Sequence, residues 1–236
     1  MNLYLVRHGV TYWNQSGRLQ GWHDVALTSG GLAQAEKTAE FFAGYCAQQQ
    51  QCIAALYTSP LKRARVTAER IGALLDLPPI VVPDLREMHA GAVEGLRREE
   101  WQARWPALVA AWEDRANPDF GWPGGETRRA FRARVLRVFA DLIAQHAAAD
   151  NLVVVTHGGV IKAFLTNAGL DDPAGPRVYN AANCSITHVE YAVDDTQEQA
   201  PQLWSVGCLV AFNQVGHLED EDSPAELPAN ADLALL

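Results

Sequence analysis

The chain has 236 residues, 48% of them hydrophobic, which is enough to bury a sizeable core and ordinary for one α/β domain carrying an insertion. Its formal net charge of −9 excludes a general binder of nucleic acid or of anionic membrane surfaces, so any phosphate site must be local and made by a few placed arginines. Cys46, Cys52, Cys184 and Cys208 lack CxxC spacing and are too few for a disulfide framework, and no basic leader or transmembrane-length apolar run is visible, so a reduced, cytoplasmic protein is expected.

Taken in chain order, Leu3-Tyr4-Leu5-Val6 is a short apolar run that reads as a buried strand. It delivers Arg7-His8-Gly9 at its carboxyl end, the edge at which open α/β sheets bind ligands. Arg holds phosphate with a fork of donors, His serves as nucleophile or base, and Gly lets a ligand approach the backbone. A loop through Gly17-Arg18-Leu19-Gln20-Gly21 leads to a helix expected over 32–45, capped by Thr28 or Ser29. Residues 48–51 are polar and read as a solvated end. A second strand is expected over 53–57. Thr58-Ser59-Pro60 then starts a helix, with Pro in its first turn, that stops near residue 75 before Pro78-Pro79. Residues 80–82 form a third strand.

Residues 96–125 break this alternation. They are rich in Trp and Arg and contain Pro106, Pro118 and Pro123, which predicts a helical insertion. A long helix over 127–148 precedes a second β-branched run, 152–155, which ends in Thr156-His157-Gly158-Gly159 and so repeats the pattern of the first strand. Two imidazoles are therefore expected at one sheet edge. Strands near 184–192 and 202–210 complete the sheet, and an acidic, Ala/Pro-rich tail over 219–236 is expected to be disordered. The fold expected is a three-layer α/β sandwich in one domain, 1–218, with a mostly parallel central sheet flanked by helices and the insertion over the active site.

In family order, the chain carries Arg7-His8-Gly9-Val10-Thr11 with Asn14, Gly17-Arg18-Leu19-Gln20-Gly21 with Leu27-Thr28, and Ser59-Pro60-Leu61-Lys62-Arg63-Ala64 with Thr67-Ala68. Leu85-Arg86-Glu87 with Gly91 and Glu94-Gly95, Pro123-Gly124-Gly125-Glu126, Thr156-His157-Gly158-Gly159, Asn183-Cys184-Ser185-Ile186-Thr187 and His217-Leu218 follow. On these motifs the chain resembles the histidine phosphatase superfamily, also called the phosphoglycerate mutase-like family. The resemblance implies that His8 attacks phosphorus to form phosphohistidine, that Arg7, Arg63 and His157 make the phosphate pocket with Asn14 as an auxiliary amide donor, and that Glu87 is the general acid. Gln20, Gly21, His89 and Gly158 are further candidates for substrate contact.

The implied chemistry makes physical demands. His8 must be neutral with one nitrogen held by a backbone carbonyl, and Glu87 needs a raised pKa to keep its proton. No Asp/Glu/His grouping has metal-ligand spacing, so neither metal nor cofactor is expected, and the arginines must balance the phosphoryl charge. Ser59 and Thr156 read as caps or supporting groups. Lys62, Arg65 and Arg70 read as a solvated helix face, and the tryptophans at 101, 105, 112 and 122 as the packing face of the insertion. Arg97 and Arg98 could meet a substrate anion. Ala90 and Val93 stand where many relatives carry larger aromatic residues, which is expected to reshape the pocket wall.

The reaction expected is hydrolysis of a small phosphomonoester. The alternative is a phosphoglycerate mutase primed by a bisphosphorylated cofactor, disfavoured because only about thirty residues separate Gly95 from Pro123, where such mutases carry a longer basic insertion. A catalytically inactive binding module is the reading from another class. It is disfavoured by the joint presence of Arg7, His8, Arg63, Glu87 and His157. Nothing in the chain specifies an oligomeric state.

Overall fold

The computed structural model describes residues 1–49, 52–114, 116–146, 150–167, 179–191 and 207–219. It opens with strand β1 (Asn2–Arg7), a single turn α1 (Tyr12–Gln15), helix α2 (Ser29–Gln49), β2 (Ala55–Thr58), α3 (Lys62–Leu75) and the short β3 (Ile80–Val81). The insertion contributes α4 (Arg98–Arg104) and α5 (Pro106–Glu113). Helix α6 (Arg128–Ala144), β4 (Asn151–Thr156), α7 (Gly158–Asn167), β5 (Ile186–Tyr191) and β6 (Gly207–Gln214) follow.

The six strands form one sheet in the order β3-β2-β4-β1-β5-β6. β3, β2, β4 and β1 run parallel, β5 is antiparallel to β1, and β6 is antiparallel to β5. Period-2 alternation on strands that are apolar throughout gives the sheet two buried faces. Leu3, Leu5, Leu152 and Val154 face a core made with Phe131, Val135, Phe139 and Phe164 of α6 and α7. Tyr4, Val6, Val153 and Val155 face the opposite core, with Ala39 and Phe42 of α2 and Ala64, Ala68 and Ile71 of α3. The expected three-layer sandwich with a mostly parallel sheet is what the chain forms. Among the described residues, no helix is long and apolar enough to cross a membrane.

A third core belongs to the insertion. Trp101 packs edge-on against Trp112 and Trp122, and Leu19, Ala90, Val93 and Phe120 close around them. The insertion docks on the first loop, where the Arg18 guanidinium donates to the Gly95 carbonyl at 2.6 Å. Ala90 and Val93 correct the sequence expectation: the tight turn over Gly91–Val93 directs them into the tryptophan cluster, so their small size fits the insertion core and they do not form a pocket wall.

Element ends shift for identifiable reasons. Helix α2 starts at Ser29 because the Thr28 hydroxyl caps the Gly31 N–H at 3.0 Å. Helix α3 starts at Lys62, leaving Pro60 outside its first turn, with Leu61 as the N-terminal flanking residue in extended conformation. Helix α6 stops at Ala144, four residues short of the expected end, and the last strand is Gly207–Gln214, displaced from the expected 202–210. Residues 202–206 and the tail from 220 onward lie outside the described residues.

Candidate active site

Strand register brings the two histidines together. β1 pairs with β4 such that Arg7 lies opposite Thr156, so the next residues on each strand, His8 and His157, leave the sheet side by side. Neighbouring strands are about 4.8 Å apart, and the two imidazole centroids are separated by 5.2 Å. Both rings are buried, His8 at 2% and His157 at 0% exposure.

The His8 Nδ1 lies 2.8 Å from the Gly9 carbonyl oxygen. A carbonyl can only accept, so the proton is on Nδ1 and the lone pair is on Nε2. Burial, then the cations of Arg63 and Arg7, hold the imidazole well below its ordinary pKa of 6.5. The His8 ring is therefore neutral at physiological pH, with its lone pair on Nε2. Its backbone is clasped from both sides: its N–H donates to the Thr156 carbonyl at 3.0 Å, and its carbonyl accepts from Asn183 Nδ2 at 2.8 Å.

Two guanidiniums are anchored beside it. Arg7 donates to the Ala181 carbonyl at 2.8 Å, and Arg63, in the first turn of α3, donates to the carbonyls of Gly21 and His23, each at 2.8 Å. Both arginines are almost wholly buried. Carbonyl anchoring fixes the direction of each fork, and a buried pair of guanidiniums is suited to a phosphoryl group.

Glu87 stands half-buried across from them. Its Oε1 accepts from the Met88 N–H at 2.8 Å and its Oε2 from the Gly159 N–H at 3.0 Å, in the first turn of α7. These bonds and the two arginines favour the carboxylate, but burial outweighs them and the pKa is raised above its usual 4.5. A clamp holds the segment: Arg134 donates to the carbonyls of Asp84 and Arg86 at 2.8 Å and of Glu87 at 3.2 Å, and forks onto Glu126 at 2.9 and 2.6 Å. Glu126 in turn accepts from the His89 N–H at 3.0 Å.

The remaining predicted residues divide. Asn14 lies at the site, its Oδ1 accepting from the Thr11 N–H at 3.0 Å and from Asn183 Nδ2 at 3.4 Å. Gln20 is 5% exposed and accepts from the Thr11 hydroxyl at 3.0 Å, supporting that turn. Gly21 contributes the carbonyl that holds Arg63, and its φ of +48° and a Cβ position 2.0 Å from Glu94 Oε1 leave room for no side chain. Gly158 is buried at the start of α7. His89 packs on Trp22 with centroids 4.6 Å apart, and Trp22 donates to the Glu87 carbonyl at 2.7 Å, which sets both rings beside the Glu87 segment. Arg97 is exposed at the start of α4, and Arg98 lies over Trp112 at 5.0 Å, so neither is drawn to this pocket.

Sequence reasoning missed Arg134 as part of the site's frame and quoted Glu94 and Asn183 only as motif residues without a role. Arg134 carries a legible signal: it falls in the buried stripe of α6 with Phe131, Val135 and Val138, where a cation requires a partner. Glu94, whose Oε1 accepts from the N–H groups of Trp22 and Ala90 at 3.0 Å, has no local signal. Among the described residues, no three His, Cys, Asp or Glu side chains are grouped to hold a metal ion.

Residues 3–202 match the family model of the histidine phosphatase superfamily, branch 1. The chain is 32% identical over 209 residues to a metal-independent phosphoserine phosphatase of Arabidopsis thaliana, covering 88% of this chain and 85% of that one. It is also 32% identical over 202 residues to a 2,3-bisphosphoglycerate-dependent phosphoglycerate mutase of Gloeobacter violaceus, covering 84% and 89%. Among solved structures, a mycobacterial glucosyl-3-phosphoglycerate phosphatase in complex with VO3 superposes with a TM-score of 0.72 at 28% identity, covering 91% of this chain and 99% of that one.

Proposed function

This chain belongs to the histidine phosphatase superfamily, and on that premise we propose that it hydrolyses small phosphomonoesters, without a metal or cofactor, through a phosphohistidine at His8. The observation that carries this reading is the state of His8: neutral, with Nδ1 committed to Gly9 and Nε2 left with its lone pair beside two anchored guanidiniums.

In the first step Nε2 forms a bond to phosphorus as the ester P–O bond breaks, and the leaving alkoxide takes the proton of Glu87. Arg7, Arg63, His157 and the Asn14 amide balance the charge on the equatorial oxygens. In the second step the Glu87 carboxylate takes a proton from water, the hydroxide attacks phosphorus, and the P–N bond breaks to restore His8. The raised pKa of Glu87 suits both roles, since it exchanges its proton closer to neutrality than an ordinary carboxylate. A cytoplasmic location belongs to the same reading and is supported by four cysteines that form no disulfide.

Phosphatase is favoured over mutase because the insertion is short: α4 and α5 close on their own tryptophan core, with none of the longer basic insertion expected of a mutase. One assay tests this. With excess EDTA present, the chain is expected to release inorganic phosphate from phosphoserine and p-nitrophenyl phosphate at an undiminished rate. It is expected to yield no appreciable 2-phosphoglycerate from 3-phosphoglycerate, with or without bisphosphoglycerate. Efficient interconversion would make it a mutase, and activity lost to EDTA and restored by magnesium or zinc would overturn the metal-free account.

A further inference from the structure

Among the described residues, the His157 ring makes one hydrogen bond. Its Nε2 lies 2.8 Å from the Ser59 hydroxyl oxygen, and its Nδ1 is buried without a hydrogen-bond partner among the described residues. Neither fact alone says which nitrogen carries the proton. The surroundings of Ser59 decide it. Its oxygen already accepts the Leu61 N–H at 3.3 Å, and its side chain is fully buried. The hydroxyl hydrogen has no other acceptor among the described residues, so it is satisfied only by the lone pair of His157 Nε2. The opposite arrangement, with Nε2–H donating, would bury the Ser59 hydroxyl hydrogen unpaired and leave a bare lone pair on the buried Nδ1, which could only repel an anion brought beside it.

We infer that Ser59 is a positioning residue that locks His157 in its neutral Nδ1–H tautomer, so that Nδ1 presents a hydrogen-bond donor to an equatorial oxygen of the phosphoryl group in flight. The geometry supports this independently of charge: the two imidazole centroids stand 5.2 Å apart and tilted by 59°, so the His157 ring and its buried, unpartnered nitrogen lie beside the ring proposed to carry the phosphoryl group. The depressed pKa of His157, caused first by burial and then by Arg63, keeps the ring neutral, and in a neutral ring the choice of tautomer decides between donor and acceptor. Position 59 therefore requires a hydroxyl, not merely a small residue.

The inference rests on the phosphatase reading for its catalytic consequence but not for its structural content, and the experiment separates the two. Long-range ¹H–¹⁵N correlation spectra of histidine-labelled chain, with the His157 signals assigned by their loss in His157→Gln, are expected to show a protonated Nδ1 and an unprotonated Nε2. Ser59→Ala is expected to mix or invert the tautomers, and to lower kcat by about tenfold to a hundredfold, since one misdirected oxyanion donor costs up to about 10³. KM should change little by comparison. Ser59→Thr keeps the hydroxyl and should restore both the spectrum and most of kcat. A wild-type spectrum with protonated Nε2 overturns the inference without any variant being made, and so does an unchanged Nδ1–H tautomer in Ser59→Ala. If the tautomer is as stated but His8→Ala still hydrolyses substrate, the phosphatase mechanism falls and the assignment of Ser59 stands.

Discussion

His8→Ala is expected to abolish turnover of p-nitrophenyl phosphate, with a loss on the order of 10⁴–10⁶-fold, the range seen when a covalent nucleophile is removed. The size of the effect follows from the absence of a substitute. Every other group in the pocket is spoken for: Arg7 and Arg63 are cations, His157 points a nitrogen at Ser59, and Glu87 is held by two backbone N–H groups. The fold should survive, because truncating the ring leaves the backbone bonds from His8 to Thr156 and Asn183 in place. Circular dichroism and the melting temperature check this, and substantial residual hydrolysis by a folded variant would remove His8 from its role as nucleophile.

The second large effect is at Glu87. Glu87→Gln keeps the shape and cannot exchange a proton, so both halves of the reaction are impaired. For an alkyl phosphate such as phosphoserine the expected loss in kcat/KM is about 10²–10⁴-fold, the usual worth of general acid catalysis. For p-nitrophenyl phosphate the first step should suffer far less, because p-nitrophenolate leaves without help. Phosphoenzyme should then accumulate as the water step slows. The pH dependence carries a definite sign. A general acid works only while protonated, so activity falls as pH rises through the pKa of Glu87, which burial has raised, placing that limb at higher pH than an ordinary carboxylate would. The lowered pKa of His8 keeps the neutral nucleophile available toward acid pH and sets the opposite limb. Glu87→Gln should erase the basic limb and leave the acidic one. Equal losses on both substrates, or an unchanged basic limb, would assign the proton to another group.

The sheet and the paired histidines were legible because both rest on local pattern. Leu3–Val6 and Leu152–Val155 are apolar on both faces, as central parallel strands must be, and each ends in His before Gly. Parallel register then places His8 beside His157 with no further information. Arg63 and Glu87 were legible only through the family pattern, since nothing local distinguishes Arg63 from the solvated Arg65 beside it; Arg65 pairs with Glu69 on the exposed face. The supporting frame was not legible. Arg134 reaches back across 47 to 50 residues to the Glu87 segment, and Asn183 reaches across 175 to His8. Such bonds are set by tertiary packing and leave no periodic trace. Ala90 and Val93 show the converse error: their small size is real, but they pack into the cluster around Trp101.

The central claim, a covalent phosphohistidine at His8, is tested most directly by rapid quenching during turnover of radiolabelled substrate, followed by peptide mapping. Label is expected on the peptide containing His8, stable to alkali and lost in mild acid, present in larger amount in Glu87→Gln and missing in His8→Ala. Label on a serine or acidic side chain, or turnover with no labelled enzyme in either the wild type or Glu87→Gln, would contradict the mechanism.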